Sequence, residues 1–254
     1  MDLQLKGRNV FVTGSTRGIG LAIAERFVAE GASVAICARS AAQVAQTARA
    51  LENKGGKVFA RSFDVADPQA LQAWIADGAQ ALGGLDVFVA NASGLAANTT
   101  PAEFKKGFDI DLIHMVTGAT AAMPLLEKSQ APAIITIASI SGVEDYGYSE
   151  AAYGAMKAAL LFYMKSLSRK VGKKGIRVNA VSPGPIYFPG GFWADVERNS
   201  PDVFQAVVEE NASRRMGKPE EIANVVAFLA SPQASYVNGA NYVVDGGHTR
   251  RIQN

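Results

Sequence analysis

The chain is poor in the residues that usually announce a metal centre or a covalent scaffold. Of its 254 residues one is cysteine, Cys37, and two are histidine, His114 and His248. A lone thiol excludes a disulfide framework and a thiolate zinc site, and two histidines far apart in sequence argue against a multi-histidine one. Charge is scarce too, at 19% of residues against roughly 25% in an average soluble domain. With 25 Lys+Arg against 23 Asp+Glu the formal charge is +2, too small for an electrostatic nucleic-acid or membrane binder. No run of about 18 apolar residues occurs, and the opening MDLQLKG has no apolar core of signal-peptide length. A reduced, cytoplasmic protein without a metal is the expectation. What is abundant is apolar: 48% of the chain, enough for a large core.

Short β-branched runs alternate with amphipathic stretches, the pattern of βα units on a parallel sheet buried on both faces. Seven strands are expected, at residues 9–13, 33–38, 57–63, 85–90, 133–139, 176–181 and 241–244. Asp67-Pro68 and Ser200-Pro201 each set a capping residue before a first-turn proline, and Thr100-Pro101-Ala102-Glu103 spells a capping box. Gly31 and Gly55-Gly56 stand where helices should stop. Together these predict an α/β fold, a single Rossmann-type doubly wound domain over 1–254, with a seven-stranded, mainly parallel sheet and helices on both faces. Residues 182–200, rich in proline, glycine and aromatics, are the least regular stretch and are expected to form a substrate lid.

Between the first strand and a helix bearing Leu21, Ala24, Phe27 and Val28 at helical spacing runs Thr13-Gly14-Ser15-Thr16-Arg17-Gly18-Ile19-Gly20. Glycines at such a turn let the backbone approach a pyrophosphate, and the free N–H groups and dipole of the helix favour its charge. The spacing resembles, residue for residue, the TGxxxGxG signature of the short-chain dehydrogenase/reductase family. That resemblance covers nearly the whole chain and is to 3-oxoacyl-carrier-protein reductases in particular. It implies a dinucleotide held by Gly14, Ser15, Arg17, Gly18, Ile19 and Gly20, with Asp64 and Val65 at the adenine. Asn91 and Ala92 follow the fourth strand, and Pro183, Gly184 and Ile186 stand on the nicotinamide side; Ala90 and Ser93 depart from the family's NNAG. An NAD site wants a carboxylate about 20 residues past the glycines, an NADP site a cation for the 2′-phosphate. Between Gly31 and Leu51 there is no Asp or Glu, and Arg39 stands at the strand end with Arg17 as a second cation. The reading is NADP(H), the alternative being that Arg39 is an ordinary solvated arginine.

Tyr153 and Lys157 stand four apart in a helical run, hence on one face. Ser139 ends the fifth strand, at the edge where ligands of open α/β sheets bind. The family has this Ser…Tyr-x-x-x-Lys order. Here the step from Ser139 to Tyr153 is 14 residues, one more than usual, and alignment on Gly142 selects Ser139 over Ser141. Hydride delivery to a ketone builds charge on oxygen until a proton arrives. A free phenol, with a pKa near 10, holds its proton about 3 units too tightly, a mismatch of roughly 4 kcal/mol; an adjoining ammonium favours the phenolate. By resemblance Tyr153 is the proton donor, Ser139 orients the carbonyl, and Lys157 also holds the nicotinamide ribose. Where the family carries a helix-borne Asn that links the lysine to solvent through a water, this chain has Asp111. A carboxylate keeps the acceptor role, loses the amide donors and should raise the pKa of Lys157.

Tyr187, Phe188, Phe192 and Trp193 either line an apolar pocket that closes over substrate, or pack the lid onto the body or a neighbouring subunit. Asp145, Tyr146 and Tyr148 are expected in the same cleft. The run Lys165, Arg169, Lys170, Lys173, Lys174, Arg177 reads as a solvated face or as a dock for an acidic carrier protein. The resemblance also implies a homotetramer, with the Asp111 and Tyr153 helices at dimer contacts, residues 239–247 near another interface and residues 249–254 in reach of a neighbour's site. The expected substrate is a small-molecule carbonyl or alcohol: a 3-oxoacyl thioester, carrier-linked, or else a free hydrophobic or aromatic ketone. The alternative of another class is a low-turnover NADP-binding sensor or scaffold.

Overall fold

Strands that are short and apolar along their whole length can bury both faces only in a sheet covered on both sides. The computed structural model, which describes residues 1–146 and 151–252, has that arrangement. β1 (Asn9–Thr13), β2 (Ser33–Ala38), β3 (Val58–Ser62), β4 (Val87–Ala90), β5 (Ala133–Ile137), β6 (Arg177–Pro183) and β7 (Asn241–Val244) form one sheet in the order β3-β2-β1-β4-β5-β6-β7. Every pairing is parallel, so the sheet expected to be mainly parallel is wholly so. From β1 the order runs one way to β2 and the other way to β4, and at such a switch point a crevice opens beyond the strands' carboxyl ends.

The helices follow in chain order as α1 (Gly18–Ala29), α2 (Ala41–Asn53), α3 (Pro68–Leu82), α4 (Pro101–Gly107), α5 (His114–Leu126), α6 (Ala151–Val171), α7 (Phe192–Asn199), α8 (Pro201–Glu210) and α9 (Pro219–Ala230). Ile23 and Phe27 of α1, Leu51 of α2 and Ile222 and Val226 of α9 belong to the core on one face of the sheet. Trp74 of α3, Met115 of α5 and Leu160 and Met164 of α6 belong to the core on the other. Phe11 of β1 meets Trp74 edge to face at 5.2 Å. Each fully buried side chain of this size contributes about 1.5–3 kcal/mol, against less than about 1 for most helix-propensity differences, so burial holds the layers together.

Asp67 caps α3 by accepting from the amides of Gln69 and Ala70. Thr100 caps α4, but the Glu103 carboxylate turns to Lys106 at 3.0 Å, leaving the expected capping box half made. Ser200 makes no side-chain cap; it is the joint between α7 and α8. The stretch 182–200 is more regular than expected. Its first two residues extend β6, because Pro183 pairs with Val244, and 192–199, free of glycine and proline, coil into α7. Apart from the Ser200 joint, only 184–191 is loop. Between α4 and α5 the chain stays helical through a wider π turn, Phe108–Ile113, that leaves Asp111 and His114 both buried. Among the described residues no helix is long and apolar enough to cross a membrane, and no group of three or more His, Cys, Asp or Glu could hold a metal ion.

Candidate active site

Past β1 the chain turns at Gly14 and Gly18, both with positive φ (+64° and +54°), and enters α1. A Cβ on Gly20 would stand 2.3 Å from the Gly14 carbonyl oxygen and 2.5 Å from Asn91 Nδ2, so only glycine fits. Asn91, just past β4, donates through Nδ2 to the carbonyls of Thr13 (2.9 Å) and Gly14 (3.1 Å), fastening the two strands at the switch point. Ser15 is turned inward: its hydroxyl donates to Val12 O (2.9 Å) and accepts from the Cys37 amide (3.0 Å), which ties the turn to β2. The Cys37 thiol, sealed beneath, is pushed up to about 12 by burial. Ile19 packs on the α1 and α9 core. Arg17, the residue that opens α1, makes no side-chain cap, so among the described residues the first-turn amides of the helix have no capping side chain. Its guanidinium donates to Gly190 O at 3.3 Å.

These features fit a dinucleotide phosphate: a glycine cradle that a Cβ would fill and an uncapped helix N-terminus. Arg39 is exposed just beyond β2; beyond β3, Asp64 accepts from the Ala66 amide and Val65 is buried. At the other side Pro183 ends β6, and a Cβ on Gly184 would come 2.7 Å from the Cα of Asp245, so the chain there lies directly on the segment after β7. Buried Ile186 bridges to Gly217. The Phe188 ring rests on Gly18, where a Cβ would meet its Cζ at 2.5 Å. A cavity of about 240 Å³ remains beside it, bounded in part by Arg17, Gly18, Phe188 and Pro189.

Deeper in the crevice the Thr13 hydroxyl is a hub that sequence reading passed over. Its oxygen accepts from the amides of Asn91 (3.0 Å) and Ala92 (3.2 Å), and His114 Nε2 lies 2.9 Å away. His114 Nδ1 faces the Ile110 carbonyl at 3.0 Å, which can only accept, so Nδ1 carries the proton; the threonine hydroxyl then donates to Nε2 at 2.9 Å in preference to the more distant Val89 carbonyl at 3.4 Å. Burial pushes the His114 pKa down to about 4 and outweighs the Ile110 bond and nearby Asp111. One turn back, Asp111 Oδ2 accepts from the Gly94 amide at 3.0 Å, and Oδ1 lies 3.0 Å from the ammonium of Lys157. The contact to Oδ1 is off the hydrogen-bond direction; the ammonium's aligned bond goes to Ile137 O, also at 3.0 Å. Burial opposes charge on Lys157, yet Asp111 together with Tyr153 carries its pKa above the ordinary lysine range, in the expected direction. Tyr153 is half-buried, and the ammonium sits 5.4 Å from its ring centre.

Ser139 is buried just past β5, and its Oγ accepts from the Ser141 amide at 3.1 Å, which leaves the hydroxyl hydrogen to donate elsewhere. Two glycines seat this loop on α6: a Cβ on Gly142 would come 2.7 Å from the Lys157 carbonyl carbon, and one on Gly154 2.8 Å from Ser141 O. The same cleft receives the chain after β7. Asp245 accepts from the Gly247 and Thr249 amides and the Thr249 hydroxyl, the Tyr146 and His248 rings pack at a tilt with centres 5.1 Å apart, and Arg251 donates to Val143 O. Of the segment 249–254, expected in reach of a neighbour's site, Thr249, Arg250 and Arg251 are tied within the chain to Asp245, Glu210 and Val143; Gln253 and Asn254 lie outside the described residues, as does Tyr148. Asp145 is exposed.

The lid aromatics divide. Tyr187 donates to Glu197 at 2.7 Å and meets Phe204 edge to face, Phe192 crosses Trp193 and is 61% exposed, and Phe188 alone covers the glycine turn. The basic run is not one solvated face either. Arg177 is buried and donates to the carbonyls of Leu229, Ala230 and Ser231 at the C-terminal end of α9, where orphan acceptors need a donor. Lys165 donates to Gly239 O and Lys174 pairs with Glu127. Hints of Thr13 and His114 were present, the one opening the glycine motif and the other three past Asp111, but nothing in their spacing joined them.

A family model described as enoyl-(acyl carrier protein) reductase matches residues 14–249. The isoepoxydon dehydrogenase of Penicillium expansum is 40% identical over 246 residues, 96% of this chain and 95% of that protein. The crystal structure of L-sorbose reductase from Gluconobacter frateurii, complexed with NADPH and L-sorbose, matches with a TM-score of 0.91 and 33% identity over 99% of this chain and 100% of that one. A short chain dehydrogenase from Burkholderia cenocepacia in complex with NADP matches with a TM-score of 0.87 and 31% identity over 96% and 99%. On sequence and fold together, the chain belongs to the short-chain dehydrogenase/reductase family of oxidoreductases.

Proposed function

We propose that this chain is an NADP(H)-dependent carbonyl reductase and secondary alcohol dehydrogenase with Ser139, Tyr153 and Lys157 as its catalytic residues. The observation that carries the reading is Tyr153, half-buried beside the sealed ammonium of Lys157, on the helix against which the Ser139 loop is seated. Gly14, Gly18, Ile19 and Gly20 would hold the dinucleotide phosphates, with Ser15 bracing the turn from beneath and Arg39 and Arg17 serving the 2′-phosphate. Asp64, Val65, Asn91 and Ala92 follow along the sheet edge, and Pro183, Gly184 and Ile186 with Tyr153 and Lys157 reach the nicotinamide end. When bound, NADPH supplies the hydride. Two structural neighbours crystallised with NADPH or NADP support this choice. Ser139 donates its O–H to the carbonyl oxygen and orients it, Tyr153 delivers the proton to that oxygen, and the 184–191 loop excludes water.

The substrate is a small molecule with a carbonyl or secondary alcohol. A carrier-linked 3-oxoacyl thioester is supported by the family model's description. A free ketone, cyclic or polyhydroxylated, is favoured by the engagement of Lys165, Lys174 and Arg177 within the chain, which halves the basic surface offered to a carrier. Relatives named for isoepoxydon and L-sorbose point the same way. We place this one-domain enzyme in a reducing cytoplasm as a homotetramer, on its single sealed cysteine and on family resemblance.

NADPH consumption against a panel holding both substrate classes tests the reading. Tyr153→Phe should lower turnover by about 10²–10⁴-fold with NADPH affinity nearly unchanged; NADPH binding without consumption of any carbonyl would favour the sensor instead.

A further inference from the structure

The ammonium of Lys157 carries one charge and has two claimants. Asp111 Oδ1 stands 3.0 Å away, and the ring centre of Tyr153 5.4 Å. The Lys157 and Asp111 side chains are 2% and 1% exposed, so water screens neither. From β5 the ammonium receives only the uncharged Ile137 carbonyl, and from the segment after β4 the Gly94 amide fixes the other carboxylate oxygen. His114 of α5 faces the pair as a neutral ring above about pH 4. Among the described residues, Asp111, Tyr153 and His114 are the titratable groups that bear on this site.

An isolated ammonium stabilises a neighbouring phenolate, whereas an ammonium already paired with a carboxylate offers it a dipole. Resting on the reductase reading, we infer that Asp111 neutralises Lys157, so that Tyr153 keeps its proton to higher pH and the chain favours carbonyl reduction over alcohol oxidation near neutrality. Asp111 touches no reacting atom in this account; it is a positioning residue that acts through the charge of Lys157.

Asp111→Asn keeps the size of the side chain and an oxygen for the Gly94 amide while removing the charge, which leaves the phenolate as the only anionic partner of Lys157 among the described residues. The phenolate is followed by ultraviolet difference absorbance of each protein against its Tyr153→Phe counterpart, alongside the pH profile of alcohol oxidation with NADP⁺. A unit charge within about 4–6 Å moves an ionisation by about 1–3 units, and the Lys157 ammonium, 5.4 Å from the Tyr153 ring centre, is the charge that the variant frees. The phenolate midpoint should therefore fall by at least about one unit, tenfold in proton affinity, and the rising limb of oxidation should move with it. Asp111→Ser, a second neutral variant, gives the same readout should the first fail to fold. A midpoint that stays or rises in a folded variant overturns the inference. A midpoint that falls in a protein that turns over no carbonyl supports the charge balance and sinks the reductase reading instead.

Discussion

The Nε2 of His114 lies 2.9 Å from the Thr13 hydroxyl across 101 positions of sequence, and so ties α5 to the point where β1 and β4 part. The threonine can hold both the Asn91 and Ala92 amides and still donate to the ring only while that ring is neutral.

Acid should therefore loosen the crevice before it unfolds the rest. The folded His114 titrates near 4, and in the unfolded chain near 6.5. The unfolded state binds more protons between those values, so this contribution is full above about pH 6.5 and is lost as pH falls toward 4, about 3 kcal/mol in all. The thermal midpoint should drop through that window, and His114→Gln should flatten the drop. Parallel curves for the two proteins would show that His114 is not buried neutral.

Gly142→Ala places a Cβ 2.7 Å from the Lys157 carbonyl carbon, and neither backbone can rotate away. The Ser139 loop must lift off α6, and a displacement of about 1 Å in a reacting group costs on the order of 100-fold in rate. Turnover should fall by about 10- to 100-fold while NADPH affinity, set across the sheet at the glycine turn, changes little. Equal losses in both would mean that the loop and the glycine turn act as one unit.

Arg39 is exposed at the end of β2 with no carboxylate near it in sequence. Arg39→Asp should lower kcat/KM with NADPH by about 10- to 100-fold, the worth of a charge-assisted hydrogen bond of about 1.5–3 kcal/mol, and raise it with NADH. An unchanged NADPH to NADH ratio would assign the 2′-phosphate to another group, with Arg17 next in line.

Strand type, the glycine turn and the Tyr153–Lys157 pair were legible because each is a local signal. Periods of two and 3.6 residues, a turn that only glycine can make and a four-residue helical step need no knowledge of distant contacts. Element ends were less so. Pro183 pairs as the last residue of β6 because Val244, far along the chain, is there to meet it. The capping box at Thr100 is half made because Lys106 competes for Glu103. The basic run looked uniform in sequence, yet Arg177 begins a buried strand and faces the end of α9, so it fills a different role from Arg169 or Lys173.

From its order of residues alone, this chain is bound to a doubly wound sheet with a phosphate-binding turn and a tyrosine and lysine on one helical face, since sterics, periodicity and turn chemistry act over a few positions. Which charges meet was settled only when the layers packed. The Asp111 carboxylate against the Lys157 ammonium, the Thr13 hydroxyl against His114 and the Phe188 ring over Gly18 each join residues from separate elements. Their energies depend on distance and on the exclusion of water, and neither exists until the two faces of the sheet are covered.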